Sequence, residues 1–176
     1  EDLSRGLGDV YKRQTLYISP LKALTTDVQR NLLNPINDLE INITVETRTS
    51  DTSTYSKAKQ IKKPPNFLMT TPESFALLMA RTDVINLFKN LKFVIIDELH
   101  TFFDSKRGHL LSLNVARLRS IKPFQVIGLS ATLKNTNLAK KYLSNNKNTK
   151  LVSTQSKVAP EITILNSGNR IPWSGH

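Results

Sequence analysis

Residues 93–100 read Phe-Val-Ile-Ile-Asp-Glu-Leu-His, and no other stretch restricts the fold as much. Four apolar residues stand in a row without a polar alternate. Such a run reads as a strand buried on both faces of a parallel sheet, because a half-buried strand would alternate. Two adjacent carboxylates stop it. At the C-terminal end of a parallel strand, Asp97 and Glu98 fall in the crevice where open α/β sheets hold their ligands.

The rest of the chain repeats the arrangement. Thr15 to Ser19 is a short β-rich run followed by Pro20. From Leu21 to Leu33, apolar residues at 21, 24, 28 and 32 mark an amphipathic helix that Pro20 begins and Pro35 ends. Ile41 to Val45 alternates as a strand does. Arg48 to Ser56 is a Ser/Thr/Asp-rich loop, and Lys57 to Lys63 a solvated basic segment closed by Pro64-Pro65. Phe67 to Thr70 is a second buried strand. Thr71 then caps a helix with Pro72 at its first position, extending to about Arg81. A short helical piece spans 84–88, and the central strand covers 92–97. A helix comes next over 110–118, with its leucines assigned to the core. Beyond it lie a strand over 124–129, a helix over 138–143, and edge strands at 151–152 and 162–165. Phe102 and Phe103 read as core rather than as a stacking platform for bases. Alternation of strands and helices predicts an α/β fold, a parallel sheet with right-handed crossovers. Residues 1–14 share no period with the remainder of the chain and read as non-native lead sequence. Residues 166–176 read as the start of a linker.

Charge and composition narrow the partners. Lys and Arg number 25 against 14 Asp and Glu, a net charge of +11. That excess suits a polyanion, most simply nucleic acid. No apolar stretch approaches the roughly 20 residues of a membrane span. With no cysteine, thiolate metal sites, disulfides and cysteine nucleophiles are excluded; the composition suits a cytoplasmic protein.

The useful signal is collective. Each strong strand is followed at once by a small, polar or charged cluster: Ser19-Pro20-Leu21-Lys22, Thr70-Thr71-Pro72-Glu73-Ser74, Asp97-Glu98-Leu99-His100 and Ser130-Ala131-Thr132. In a parallel sheet all four lie along one edge. Hydroxyls and helix N-termini suit phosphates, so the first two clusters are candidates for a nucleic-acid backbone and the last two for a nucleotide.

Taken in order, YISPLKAL, TTPES, DELH and SAT resemble motifs Ia, Ib, II and III of superfamily 2 helicases. The text RTSDTS, TTPESFALLMA and IIDELHTFFDSKRG, with the closing IPWSGH, is similar to the large helicase-related family of DExH-box DNA helicases and its ligase-associated branch. The resemblance implies a RecA-like domain, a parallel sheet flanked by helices on both faces, spanning 15–165. It implies Mg²⁺ and ATP as cofactors: Asp97 holds Mg²⁺ through water, Glu98 activates the hydrolytic water, and His100 links the nucleotide to the partner domain. Ser130, Ala131 and Thr132 would couple hydrolysis to movement. Ser19, Pro20 and Lys22 would lie by the DNA backbone, as would Thr71, Pro72 and Glu73. Arg48, Thr49, Asp51 and Thr52 match a further DNA-side motif, in which relatives have Gly where this chain has Ser50. Lys106-Arg107-Gly108 fits the family text as a structural turn or as a DNA contact. His109 and His176 read as incidental.

Gly6, Gly8 and Lys12 do not form Gly-x-x-x-x-Gly-Lys-[Ser/Thr]. The expected object is therefore a P-loop NTPase fold without its first strand and phosphate loop. Its implied partners are single-stranded or forked DNA and a second RecA-like domain that donates an arginine. The implied reaction is ATP-driven 3′→5′ translocation, with a role in DNA repair. Two alternatives stand beside it: an RNA helicase of the superkiller type, and a nucleic-acid-binding module that does not hydrolyse ATP.

Overall fold

A computed structural model describes residues 13–144 and 148–153. The chain alternates strands and helices. The strands are β1 (Gln14–Ile18), β2 (Val45–Arg48), β3 (Phe67–Thr70), β4 (Leu91–Ile96) and β5 (Gln125–Gly128). The helices are α1 (Lys22–Asp38), α2 (Thr54–Lys62), α3 (Pro72–Met79), α4 (Val84–Leu87), α5 (Lys106–Ile121) and α6 (Thr136–Leu143), with a 3₁₀ turn at Leu99–Phe102. All strand pairs are parallel, in the order β2-β3-β1-β4-β5.

Side-chain alternation along the strands divides the interior in two. Leu16, Ile18, Leu68, Val94 and Ile96 point to the larger core, where Phe75 and Leu78 of α3 and Leu111 and Leu118 of α5 cover them. Tyr17, Val45 and Met69 point the other way, against Val28, Leu32 and Ile36 of α1. Helices thus flank both faces, as expected, but unequally. On β4, Val94 and Ile96 are buried, Phe93 and Ile95 only half-buried and Lys92 exposed. The unalternated run is therefore less symmetrically buried than its sequence predicts, because α1 lies over β2 and β3.

Several boundaries differ from expectation for identifiable reasons. Pro35 lies inside α1 rather than ending it; Ile36 still reaches the smaller core, and only the last turn forgoes a bond. The strand expected at 41–45 begins at Val45 and runs to Arg48. Thr44 and Asn66 exchange side-chain and backbone bonds of 2.9–3.1 Å just before it, and that clamp sets where the ladder starts. The last three residues of the expected loop and the basic segment as far as Lys62 form α2, capped by Ser53, whose Oγ accepts from the Ser56 N–H at 3.1 Å. α3 ends at Met79. β4 stops at Ile96, leaving Asp97 just beyond the strand. α5 starts at Lys106 and buries Leu111, Val115 and Leu118, while Leu110 and Leu113 face solvent. Residues 151–152 form no strand, and Val152 is 90% exposed. The strand expected at 162–165 lies outside the described residues.

Candidate functional site

The sheet register aligns the strand ends. Arg48 pairs with Thr70, Thr70 with Ile18, Ile18 with Ile96, and Ile96 with Gly128. The next residue of each strand, Thr49, Thr71, Ser19, Asp97 and Leu129, therefore stands along one edge. Each predicted cluster begins within a residue or two of this row.

At its centre, the Asp97 N–H bonds the Ile18 carbonyl at 2.9 Å, continuing the ladder one step past β4. The carboxylate is held twice: Oδ1 accepts the Glu98 N–H at 2.9 Å, and Oδ2 accepts the Tyr17 hydroxyl at 2.6 Å. Burial and this hydrogen bond push the Tyr17 hydroxyl well above the usual tyrosine range, so it remains a donor. Glu98 adopts the left-handed conformation, φ 47° and ψ 46°, at a cost of about 1–2 kcal/mol for a residue with a side chain. The turn places its Oε2 3.4 Å from His100 Nδ1. Its carbonyl accepts both the N–H and the hydroxyl of Thr101 at 2.8 Å.

His100 Nδ1 also lies 2.8 Å from Ser130 Oγ, thirty positions along the chain. The Ser130 hydroxyl donates to the Thr132 carbonyl at 3.0 Å. The Leu99 N–H bonds the Leu129 carbonyl at 2.8 Å, anchoring the 3₁₀ turn to the end of β5. Ala131 and Thr132 are exposed beside it.

On the other side of β1, Lys22 at the start of α1 pairs with Asp51 at 2.9 Å. That bond, first among several, holds the Asp51 carboxyl below the usual carboxylate range. The turn at 49–52 is knit by its own side chains. Thr52 Oγ1 accepts the Thr49 N–H at 2.9 Å, and Thr49 Oγ1 accepts the Asp51 N–H at 3.3 Å. Ser50 does not adopt a positive φ, so a side chain is tolerated there without backbone strain. A groove of about 640 Å³ opens here, with Lys22, Thr26, Thr49, Asp51, Thr52 and Lys59 among its walls.

Six predicted backbone-binding residues are buried: Ser19, Pro20, Arg48, Thr49, Thr71 and Pro72. Arg48 is 8% exposed; its guanidinium donates to the Lys57 carbonyl at 2.9 Å and to Gln60 Oε1 at 3.2 Å, supporting the turn from beneath. Burial lowers its pKa. Ser19 is fully buried, and its hydroxyl has no partner among the described residues. Thr71 is spent on capping α3 through the Ser74 N–H. Pro72 is buried behind it and Glu73 is exposed.

One residue of this edge was not foreseen, and a second was expected only as part of a structural turn or a DNA contact. Tyr17 sits opposite Ile95 in the register and reaches Asp97, a meeting that only strand pairing creates. Arg107 donates through Nε and Nη2 to both Glu73 oxygens and, through Nη2, to the Pro20 carbonyl at 2.6 Å. A signal for it was available: a cation in the first turn of a helix opposes the helix dipole and needs a local reason.

A family model described as DEAD/DEAH box helicase matches residues 5–140. The chain belongs to the DEAD/DEAH box helicase family. Among its relatives within this helicase family, the ATP-dependent helicase Lhr-Core of Saccharolobus solfataricus is 44% identical over 131 residues, 69% of this chain and 15% of the relative. The Lhr helicase/uracil glycosylase of Escherichia coli is 36% identical over 172 residues, 89% of this chain and 11% of the relative. The helicase Lhr of Mycobacterium smegmatis, solved bound to ssDNA and AMP-PNP, superposes with a TM-score of 0.69 at 37% identity, covering 75% of this chain and 18% of that one. The chain thus spans less than a fifth of these helicases' lengths.

Proposed function

We propose that this chain is part of an ATP-dependent DNA helicase or translocase that couples ATP hydrolysis to movement along single-stranded DNA. One observation carries the reading. The fixed acid pair, the His100–Ser130 contact and the groove walled by Lys22, Thr49, Thr52 and Lys59 all open on the same sheet edge. A nucleotide and a nucleic-acid strand bound there would be neighbours.

In this reading Asp97 holds Mg²⁺ through water, pre-set by Tyr17 and the Glu98 amide. When bound, Mg²⁺ neutralises charge on the terminal phosphates of ATP. Glu98 orients and deprotonates the attacking water, while His100 and Ser130 sense its surroundings. Lys22, Thr49, Asp51 and Thr52 line the strand's path, and Arg48, Ser19 and Thr71 shape it from within. A second RecA-like domain of the same parent would complete the site with an arginine. The family resemblance supports 3′→5′ polarity and a role in DNA repair.

The 176 residues contain no phosphate loop. We expect them to bind single-stranded DNA weakly, with affinity falling as salt rises, and not to turn over ATP. In the full-length parent, Glu98→Gln is expected to leave ATP binding intact and abolish turnover. Wild-type turnover by that variant would refute the assignment of Glu98, and salt-independent DNA binding the backbone-contact reading.

A further inference from the structure

Three segments meet at one guanidinium. Arg107 lies in the first turn of α5, just after the 3₁₀ turn that carries His100. Its bonds to Glu73 reach the start of α3, and its bond to the Pro20 carbonyl reaches the turn before α1. Its Cζ stands 6.0 Å from the centre of the buried Phe102 ring. Gly108 fixes the approach, since a Cβ there would lie 1.7 Å from the Phe102 carbonyl oxygen.

Stability alone is a poor reason for this arrangement. The Arg107 and Glu73 side chains are 36% and 55% exposed, and exposed ion pairs contribute little. The helix dipole disfavours a cation at this position, and the first turn of α5 holds no acid to offset it. What the guanidinium adds is geometry. Its planar fork grips a carboxylate through two parallel bonds and leaves a third donor for a carbonyl, a combination that lysine cannot reproduce. Glu73 is likewise occupied, which keeps a carboxylate from facing a phosphate directly.

We infer that Arg107 is a positioning residue for nucleic-acid binding: with Glu73 it fixes the Pro20–Lys22 turn and the Thr71–Glu73 turn in the relative position at which both meet one nucleic-acid backbone. The inference rests on the DNA-binding reading above. Its test is fluorescence anisotropy of the 176-residue chain with a labelled oligothymidylate of about 20 nucleotides. Arg107→Ala should weaken binding about tenfold, the scale of one bond to a charged group. Glu73→Gln should weaken it less. The double variant should be no worse than Arg107→Ala, because the two side chains act as one unit. Arg107→Lys should fall between wild type and Arg107→Ala, and serves also if Arg107→Ala does not fold. Lys106→Ala removes the same charge one residue away and should change affinity by less than about twofold.

Wild-type affinity in Arg107→Ala, additive effects of the two substitutions, or an equal loss in Lys106→Ala would each overturn the inference. A wild-type chain without salt-dependent binding would instead overturn the DNA-binding reading.

Discussion

Gly108→Ala is expected to reverse the usual sign of a glycine-to-alanine change in a helix. Alanine ordinarily gains about 1 kcal/mol over glycine in a helix interior. At position 108 the added Cβ would stand 1.7 Å from the Phe102 carbonyl oxygen and 2.6 Å from its carbon. Both are backbone atoms, so neither can swing aside. Reaching an ordinary C···O contact requires the first turn of α5 to retreat by about 1.6 Å. That movement breaks the Ser105 cap, in which Oγ accepts the Gly108 N–H at 3.0 Å. It also strains the 2.6 Å bond from the Tyr142 hydroxyl to the Gly108 carbonyl. Overpacking of this kind costs about 3 kcal/mol and a lost cap about 1 kcal/mol. After the alanine gain, a net loss of about 3 kcal/mol remains, or about 6–12 °C in Tm for a domain of this size. Thermal unfolding followed by circular dichroism measures it directly, with Ser105→Ala as the reference for the cap alone. A Tm equal to or above wild type would show that α5 is not held against the 3₁₀ turn as described.

Three further outcomes can be measured on the same chain. Thr71→Ala should cost about 1 kcal/mol in urea unfolding through loss of the α3 cap, with Thr71→Ser close to wild type. Arg48→Ala should cost about 2 kcal/mol or more, since it strands the buried Gln60 amide oxygen; a neutral result would mean that the 49–52 turn does not rest on it. Arg107 holds the Glu73 carboxyl below its ordinary value of 4.5. A carboxyl depressed on folding adds stability that is complete above its unfolded pKa and is lost as pH falls through the folded one. The stability gap between wild type and Glu73→Gln should therefore be flat near neutrality and close below about pH 4.5; a gap that widens on acidification would contradict the pairing.

Much of this molecule could be read locally. The Phe67–Thr70 strand, the Thr71 cap and Pro72 at the first helical position stand where the sequence places them, because strand period, caps and prolines act over a few residues. The row of polar clusters at the strand ends comes from the same local reading plus one topological rule. Helix α2 escaped it because its Ser/Thr- and Lys-rich face buries little, with Gln60 its one fully buried side chain. Leu113 escaped in the opposite sense, an apolar residue left 69% exposed by the direction in which α5 packs.

By itself, the sequence determined the alternation of strands and helices, the edge on which the polar clusters gather, and the acid pair at its centre. Only the tertiary structure decided that Tyr17 holds Asp97, that His100 meets Ser130, that Arg48 turns inward, and that Arg107 ties Pro20 to Glu73. Each of these contacts joins residues brought together by strand register or helix docking. Periodicity along a chain specifies which face a side chain takes, whereas its partner across the sheet is set by packing of the whole domain.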